Sequence, residues 1–155
     1  MTRAAIHLGD GVFGNSAKGL GFGEISLHVG ELTFPDSSWT DFVVVVLTWW
    51  CSALFRLLAG EPKPIEVRFM EGPYLVMLGP LNGDVVHLVL VEDRWKREIR
   101  GETDVDTRIL IRSVLSAADI ALMECKSRSW WSDDADKLLA ARDELRQEFR
   151  DGKSE

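Results

Sequence analysis

The segment from Asp36 to Gly60 constrains the fold of this chain more than any other, because it carries the highest density of apolar side chains. Ser37 or Ser38 can cap its start, with Asp41 three residues after Ser38 as the acid of a capping box. The pattern predicts a buried helix of about five or six turns, covered on more than one side. Its apolar residues at helical three-and-four spacing are Trp39, Phe42, Val43, Val46, Leu47, Trp50, Leu54, Leu57 and Leu58.

Two other structures are compatible with parts of this segment. The valines from Val43 to Val46 are β-branched, which favours a strand, and the apolar run resembles a membrane span. Length argues against both. Roughly 20 residues is long for a strand, and the uncharged run from Phe42 to Phe55 is shorter than the ~18 to 20 apolar residues that a bilayer requires. We therefore expect a buried helix and no membrane contact.

The composition is that of an ordinary globular protein. Of 155 residues, 46% are hydrophobic and 28% are charged, so one domain spanning residues 1–155 can bury a core without disulfides or metals. The net charge of −7 disfavours nucleic acid as a partner, since phosphates attract clustered lysine and arginine. Cys51 and Cys125 lie in predicted helices and are expected to be reduced. No apolar run of signal-peptide length opens the chain, so we expect a cytoplasmic protein.

Short apolar runs bounded by turn residues predict a series of strands. Val85 to Val91 is almost entirely apolar, which is typical of a central strand covered on both faces. The charged segment from Glu92 to Asp106 is either an edge strand around Ile99 or a loop. Turn signals join the last three strands as an antiparallel meander. The predicted strands are Ala4–Leu8, Ile25–Val29, an extended run through Leu32 and Phe34, Ile65–Met70, Tyr74–Leu78 and Val85–Val91.

Two further helices are indicated near the C-terminus. The first begins near Asp104 or Asp106 and carries a broad apolar face as far as Cys125, and Ser127 to Ser132 interrupts it. The second begins at Ser132, with aspartates in its first turn and arginines in its last, an order that suits the helix dipole. The sequence thus predicts an α+β fold: an antiparallel sheet of about five to six strands packed on the long central helix, with two C-terminal helices.

The glycine-rich stretch from Gly9 to Gly23 contains a GxGxxG match at Gly9 to Gly14, directly after a predicted strand. A dinucleotide fingerprint must open a helix, and the residues after Gly14 include three more glycines that cannot sustain one. We expect no nucleotide site and no cofactor. A mobile hairpin loop is the favoured interpretation, and a loop that contacts a partner is the alternative.

Titratable groups that could support catalysis are sparse. His7, His28 and His87 stand alone on strand patterns, without the spacing of metal ligands, so we expect no metal site. His87 is the best candidate for chemistry, because a polar ring in an apolar strand must find a partner. No GxSxG elbow or catalytic-cysteine signature occurs. We expect a protein that is not an enzyme.

Two features offer partner contacts. Arg94 to Arg100 places four basic residues around Trp95, but its flanks are acidic, so it is either an ion-paired solvated face or an anion or partner site. Trp130 and Trp131 precede the last helix and are either a hydrophobic staple or interface anchors. Trp49, on the weaker face of the central helix, carries the same ambiguity.

A set of motifs in the chain has the pattern of a known group of proteins: Phe34-Pro35, Trp39-x-Asp41-Phe42, Trp50 and Phe69-Met70-Glu71-Gly72-Pro73-Tyr74. In these residues the chain resembles small bacterial proteins that include immunity proteins of contact-dependent and other polymorphic toxin systems. The resemblance covers roughly Glu31 to Leu145 and implies a binding protein that neutralises a cognate toxin. It carries no catalytic residue across.

We therefore expect a non-catalytic immunity protein. Many toxin domains that act on nucleic acid are basic, and an acidic inhibitor is steered to such a nuclease by long-range attraction. The alternatives are a homo-oligomeric structural or binding protein, a homodimer for example, and a small enzyme using His87. The candidate partner-binding residues are Asp104, Asp106, Trp130, Trp131, Asp133, Asp134 and Asp136.

Overall fold

The computed structural model of the chain describes residues 1–9 and 21–153. Within them the fold is α+β, with two antiparallel sheets of four strands each and three helices. The expected single sheet of five to six strands is therefore wrong, although the fold class is confirmed. Most of the glycine-rich stretch, residues 10–20, lies outside the described residues, so the expected hairpin loop there stays a prediction.

The N-terminal sheet is built around its longest strand. The strands are β1 (Ala4–Leu8), β2 (Phe22–Val29), β3 (Leu32–Phe34) and β4 (Thr40–Phe42). β2 pairs with β1, and its two ends pair with β3 and β4. The short β4 was missed from sequence, because its residues continue the apolar pattern of the helix that follows.

The remaining elements follow in chain order: α1 (Val43–Leu58), β5 (Ile65–Arg68), β6 (Tyr74–Leu78), β7 (Val85–Asp93), β8 (Arg97–Asp106), α2 (Thr107–Ser127) and α3 (Asp133–Lys153). Strands β5 to β8 form the C-terminal sheet, a meander in sequence order. The segment around Ile99 is thus an edge strand rather than a loop. The two sheets meet at Thr2, which forms a parallel bridge with Val105 and donates from its backbone to the Asp104 carbonyl at 3.3 Å.

Helix α1 is the buried helix that the sequence predicted, but it is shorter. It begins at Val43, after the expected caps Ser37 and Ser38, so the predicted capping box with Asp41 is wrong. The backbone N–H of Val43 is instead satisfied by the Gly21 carbonyl at 2.8 Å. The backbone of the residue that precedes β2 therefore does what a side-chain cap does in an isolated helix.

Nine of the sixteen residues of α1 are buried, and the side chains of Trp49, Ser52 and Arg56 are exposed. The helix packs against α2 and α3 on one side and against strands of both sheets on the other. Burial of this order stabilises a fold by about 1.5–3 kcal/mol for each large apolar side chain. The expectation of a helix covered on more than one side is confirmed.

The C-terminal sheet has one face against the core, which we call the inner face, and one outer face. In β7, Val86, Leu88 and Leu90 lie in the core, whereas His87 is exposed and Val89 is half-buried. The expectation that both faces of this strand are covered is therefore wrong. An apolar run in the sequence does not distinguish a strand with both faces buried from one whose outer face is only partly covered by neighbouring charged side chains.

Helix α2 is tied to both of its neighbours. Its Ser113 hydroxyl accepts the Ile6 backbone N–H at 2.9 Å, which satisfies part of the outer edge of β1. Its Asp119 accepts hydrogen bonds from Arg142 and Arg146 of α3, both at 2.7 Å. The helical pair is thus fixed against the N-terminal sheet by polar contacts as well as by packing.

Both cysteines are free thiols and are buried. Burial raises the pKa of Cys51 to about 12, so its thiol stays protonated at neutral pH. In residues 1–9 and 21–153, none of the helices combines the length and the apolar character needed to cross a membrane.

Candidate functional site

The candidate partner-binding residues separate into two groups at opposite ends of α2. Asp104 and Asp106 lie at its N-terminal end, and the two tryptophans with the three other aspartates lie at its C-terminal end. At 1.5 Å per residue a helix of 21 residues is about 30 Å long. The seven residues therefore do not form one continuous surface.

The two aspartates of the first group have contacts within the chain. The Asp104 carboxylate lies 2.7 Å from Nδ1 of His87, on the outer face of the C-terminal sheet. Asp106 caps α2 and accepts the backbone N–H groups of Arg108 and Ile109 at 2.9 and 3.1 Å. A carboxylate at this position satisfies free N–H groups and favours the helix dipole. Both residues are thus accounted for by the fold.

The second group forms what we call the acidic turn surface: Trp130, Trp131, Asp133, Asp134 and Asp136. Its backbone is fixed at both ends. Trp130 donates its backbone N–H to the Cys125 carbonyl at 2.7 Å, which closes α2. Asp136 donates its backbone N–H to the Ser132 carbonyl at 3.1 Å, which opens α3. The connection between α2 and α3 is therefore a turn whose backbone is fixed by hydrogen bonds at both ends.

Trp130 is anchored on the core beside the start of α1, and its expected role as a hydrophobic staple of α3 stays a prediction. It is half-buried against the core and lines a small cavity beside Val44 and Val45 at the start of α1. Arg128 lies over its ring at 5.1 Å from the centroid and also donates to Glu124 at 2.8 Å. A cation stacked on indole adds to this packing.

Trp131 is different, because 42% of it is exposed. Its indole N–H donates to a carboxylate oxygen of Asp136 at 2.7 Å, across the first turn of α3. A hydrogen bond to a charged acceptor is stronger than one between neutral groups. The ring is therefore held in one orientation while much of the residue stays exposed, which the sequence alone could not show.

Asp133 and Asp134 complete the acidic turn surface. Both are exposed in the first turn of α3, and within the described residues they make no ion pair. Negative charge here is favoured by the N-terminal end of the helix dipole. The surface thus combines an oriented indole with two carboxylates that no cation of residues 1–9 and 21–153 neutralises.

The basic segment from Arg94 to Arg100 is largely an ion-paired face, as one of the two sequence interpretations predicted. Arg94 and Arg100 both pair with Glu92, at 3.0 and 2.7 Å. These hydrogen bonds, with that of Arg100 the largest influence, lower the pKa of Glu92. Trp95, at the tip of the β7–β8 hairpin, is fully exposed. Its neighbours include cations, in contrast to the acidic surroundings of Trp131.

Most of the residues that carry the resemblance to immunity proteins converge around Asp41, which is completely buried. Its carboxylate accepts the Trp39 indole N–H at 3.0 Å, the Phe42 backbone N–H at 2.7 Å and the Glu71 backbone N–H at 3.1 Å. Desolvation raises the pKa of Asp41, and the three donors oppose that rise. We call this group the Asp41 cluster. It ties β4 to the turn between β5 and β6.

Aromatic rings surround the Asp41 cluster. The Trp39 and Tyr74 rings meet edge to face at 5.3 Å, and Phe34 meets Tyr74 in the same manner at 5.7 Å. Such pairs contribute beyond their buried area. The motif therefore joins the two sheets and has a structural role. The sequence pattern alone did not reveal this role, because it placed Asp41 in a helix cap.

The histidines lie on strand surfaces. His7 and His28 stack at 4.5 Å between ring centroids, and burial, with His7 as a smaller influence, lowers the pKa of His28. In residues 1–9 and 21–153 there is no group of three or more histidine, cysteine, aspartate or glutamate side chains placed to hold a metal ion. His87 is exposed rather than sealed in the core, so the alternative of a small enzyme using it stays a hypothesis.

His87 should titrate above its ordinary pKa of 6.5 because of Asp104. The hydrogen bond to Asp104 is the largest influence that raises the pKa of His87, and Glu102 adds to it. The stability from this pair is thus fully present below pH 6.5 and is lost as pH rises through the folded-state pKa. The contribution of this pair to the free energy of unfolding should be under about 1 kcal/mol, because the pair is exposed. An NMR titration of the ring protons should show the raised pKa, and Asp104→Asn should return it towards 6.5.

No family model matches this chain, and comparisons with curated proteins and with solved structures returned no significant match.

Proposed function

We propose that this chain is a non-catalytic immunity protein that binds and neutralises a basic toxin, and that the acidic turn surface is its contact. The observation that carries the proposal is the geometry of Trp131. The indole is exposed, held by Asp136, and placed beside two carboxylates, Asp133 and Asp134, without partners in the described chain. The resemblance in sequence supports the same function.

The fixed indole favours tight binding because little entropy is lost when a partner covers it. Immobilising a flexible side chain at an interface costs about 0.5–1.5 kcal/mol. The hydrogen bond from Trp131 to Asp136 has already restricted the ring in the free protein. Tryptophans of this kind are enriched among the few residues that dominate interface energies.

The charges favour a basic partner. The chain has a net charge of −7, and Asp133 and Asp134 place two negative charges next to the exposed ring. Complementary charge steers association and raises the rate of encounter, whereas the affinity depends more on the buried anchor. Trp131 and the aspartates thus have separable effects on binding.

Substitutions at the acidic turn surface should weaken both binding and protection. The toxin to test is the product of the gene adjacent to this one, co-expressed with each variant. Trp131→Ala should raise the dissociation constant by roughly 30- to 1,000-fold, as for an interface hot spot. Asp133→Lys with Asp134→Lys should mainly slow association, most strongly at low salt. Stopped-flow binding and survival of the co-expressing cells measure the two effects.

Matched controls exist on other parts of the chain. Trp95→Ala removes an exposed tryptophan elsewhere, and Glu31→Lys with Asp84→Lys changes the net charge by the same amount at exposed sites. These controls should bind and protect like the native chain. Full protection by Trp131→Ala together with the aspartate pair, or a neighbouring protein that is neither bound nor toxic, would contradict the proposal.

A further inference from the structure

The edge of the C-terminal sheet at β8 is only partly covered. β8 pairs with β7 along one edge. On its other edge, Thr2 bridges to Val105 and donates to the Asp104 carbonyl. In residues 1–9 and 21–153, no other backbone pairs with the stretch from Arg97 to Glu102, which we call the free edge. A free edge presents backbone donors and acceptors that another strand can pair with.

The side chains of the free edge alternate in a way that fixes which of them share a face. Arg97 and Glu102 both lie on the outer face, since Arg97 pairs with Glu66 at 2.7 Å and Glu102 faces His87 at 3.4 Å. Ile99 lies opposite Val91 of β7 and is 63% exposed. An irregularity in the ladder after Leu90 keeps both ends of the edge on this face.

The free edge is held in position before any partner arrives. Arg97 extends across the outer face, with its guanidinium 3.7 Å from the Met77 sulfur and 2.7 Å from Glu66. Leu75 and Val91 are buried although neither belongs to the main core. The aliphatic part of an arginine covers apolar surface in this way while its charge stays in water. The strand is therefore ordered up to its edge.

We propose that the free edge pairs with the same edge of a second copy of this chain, antiparallel and about a two-fold axis. In the proposed register, Arg97 lies opposite Glu102 of the second copy. The paired stretch is then residues 97–102 of both copies, and it ends before the part of β8 that Thr2 covers. Symmetry then places opposite charges across from each other at both ends. Ile99 lies opposite the aliphatic part of Arg100. Cross-strand pairs of opposite charge stabilise such a ladder, and like charges destabilise it.

This dimer is distinct from the proposed toxin contact. The acidic turn surface lies at the other end of α2 from the Asp106 end of β8, so a dimer leaves Trp131 accessible. Pairing of six residues buries less surface than the ~1,200 Å² at which stable complexes begin, so the association is weak and concentration-dependent. It supplies a specific geometry for the homodimer that the sequence left as an alternative.

The test is a charge swap read out by sedimentation equilibrium. The native chain should form a dimer as its concentration is raised to about 500 µM, the range of a weak interface. Arg97→Glu or Glu102→Arg alone should weaken dimerisation at least tenfold, because each places like charges opposite each other. The double variant should restore it. Arg97 and Glu102 do not pair within one chain, so recovery in the double variant reports a contact between copies.

A second measurement covers the case in which Arg97→Glu lowers stability by removing its ion pair with Glu66. Hydrogen exchange of the native chain, at low and high concentration, should show slower exchange in residues 97–102 at high concentration only, with β5 amides unchanged. A native chain that stays monomeric throughout, or a double variant as weak as the single ones, would overturn the proposal, as would concentration-independent exchange.

Discussion

Replacing Asp41 with alanine should lower the free energy of unfolding by about 3–5 kcal/mol, a large share of the stability of an ordinary domain. The carboxylate is completely buried and accepts three N–H groups, including the Trp39 indole and the Glu71 backbone. Alanine leaves these donors buried without an acceptor, and each orphaned group costs about 1–3 kcal/mol. Urea unfolding followed by circular dichroism measures the change.

Two further variants separate the hydrogen bonds of Asp41 from its charge. Asp41→Asn keeps one acceptor oxygen and the side-chain volume, so its cost should lie between those of the native chain and alanine. Asp36→Ala removes an exposed aspartate that accepts the Ser38 backbone N–H at 2.9 Å, and should cost about 1 kcal/mol or less. Equal costs for Asp41→Ala and Asp36→Ala would show that the Asp41 cluster does not stabilise the fold.

The pH dependence of the Asp41→Asn comparison has a definite sign. Because burial raises the pKa of Asp41 in the folded state, the unfolded chain loses this proton first as pH rises. The contribution of Asp41 is therefore greatest below pH 3.8 and falls as pH rises through the folded-state pKa. The stability advantage of the native chain over Asp41→Asn should shrink accordingly. An advantage that grows with pH would show that the three donors outweigh desolvation.

The elements with local signals were the ones that could be predicted from the sequence. The apolar periodicity of α1 and the turn that joins β6 to β7 both depend on residues close together in the chain, and both predictions are confirmed. The start of α1 could not be found in this manner. It is set by β4, whose Phe42 pairs with Phe22, and by the Gly21 carbonyl, which are long-range contacts.

The same distinction between local signals and long-range contacts applies to the candidate site. Trp130 and Trp131 are adjacent and chemically identical, so no sequence pattern could show that the first packs inward and the second hydrogen-bonds to Asp136. The distance between Asp106 and Trp131 could be predicted from the sequence, because the helix expected between them is about 30 Å long.

The Asp41 cluster shows why the resembling motif was misread. Asp41 and Glu71 are 30 residues apart, and only the folded chain brings the carboxylate to the Glu71 backbone. Locally, an aspartate after two serines has the pattern of a helix cap. The same residues in space form a buried acceptor with three donors, so the motif reports how the sheets are joined and does not identify a binding surface.

Replacing Gly72 with alanine should lower the free energy of unfolding by about 2–4 kcal/mol, because backbone strain and a steric clash both contribute. Gly72 has a φ of +84°, which L-residues adopt only with strain. A Cβ there would lie 2.7 Å from Cη2 and 3.2 Å from Cζ2 of Trp39, closer than van der Waals contact allows. The ring cannot retreat freely, since its indole N–H is bound to Asp41. Thermal and urea unfolding measure the loss.

Gly83 is the matched control, because it has a φ of +64° and no atom within 4 Å of a Cβ. Gly83→Ala should therefore cost only the backbone strain, about 1 kcal/mol. Trp39→Phe removes the outer ring atoms that the new Cβ would meet. In that background the cost of Gly72→Ala should fall to the cost of Gly83→Ala. If the cost of Gly72→Ala is unchanged in that background, the steric contact with Trp39 contributes nothing, and the glycine is required only for its backbone angle.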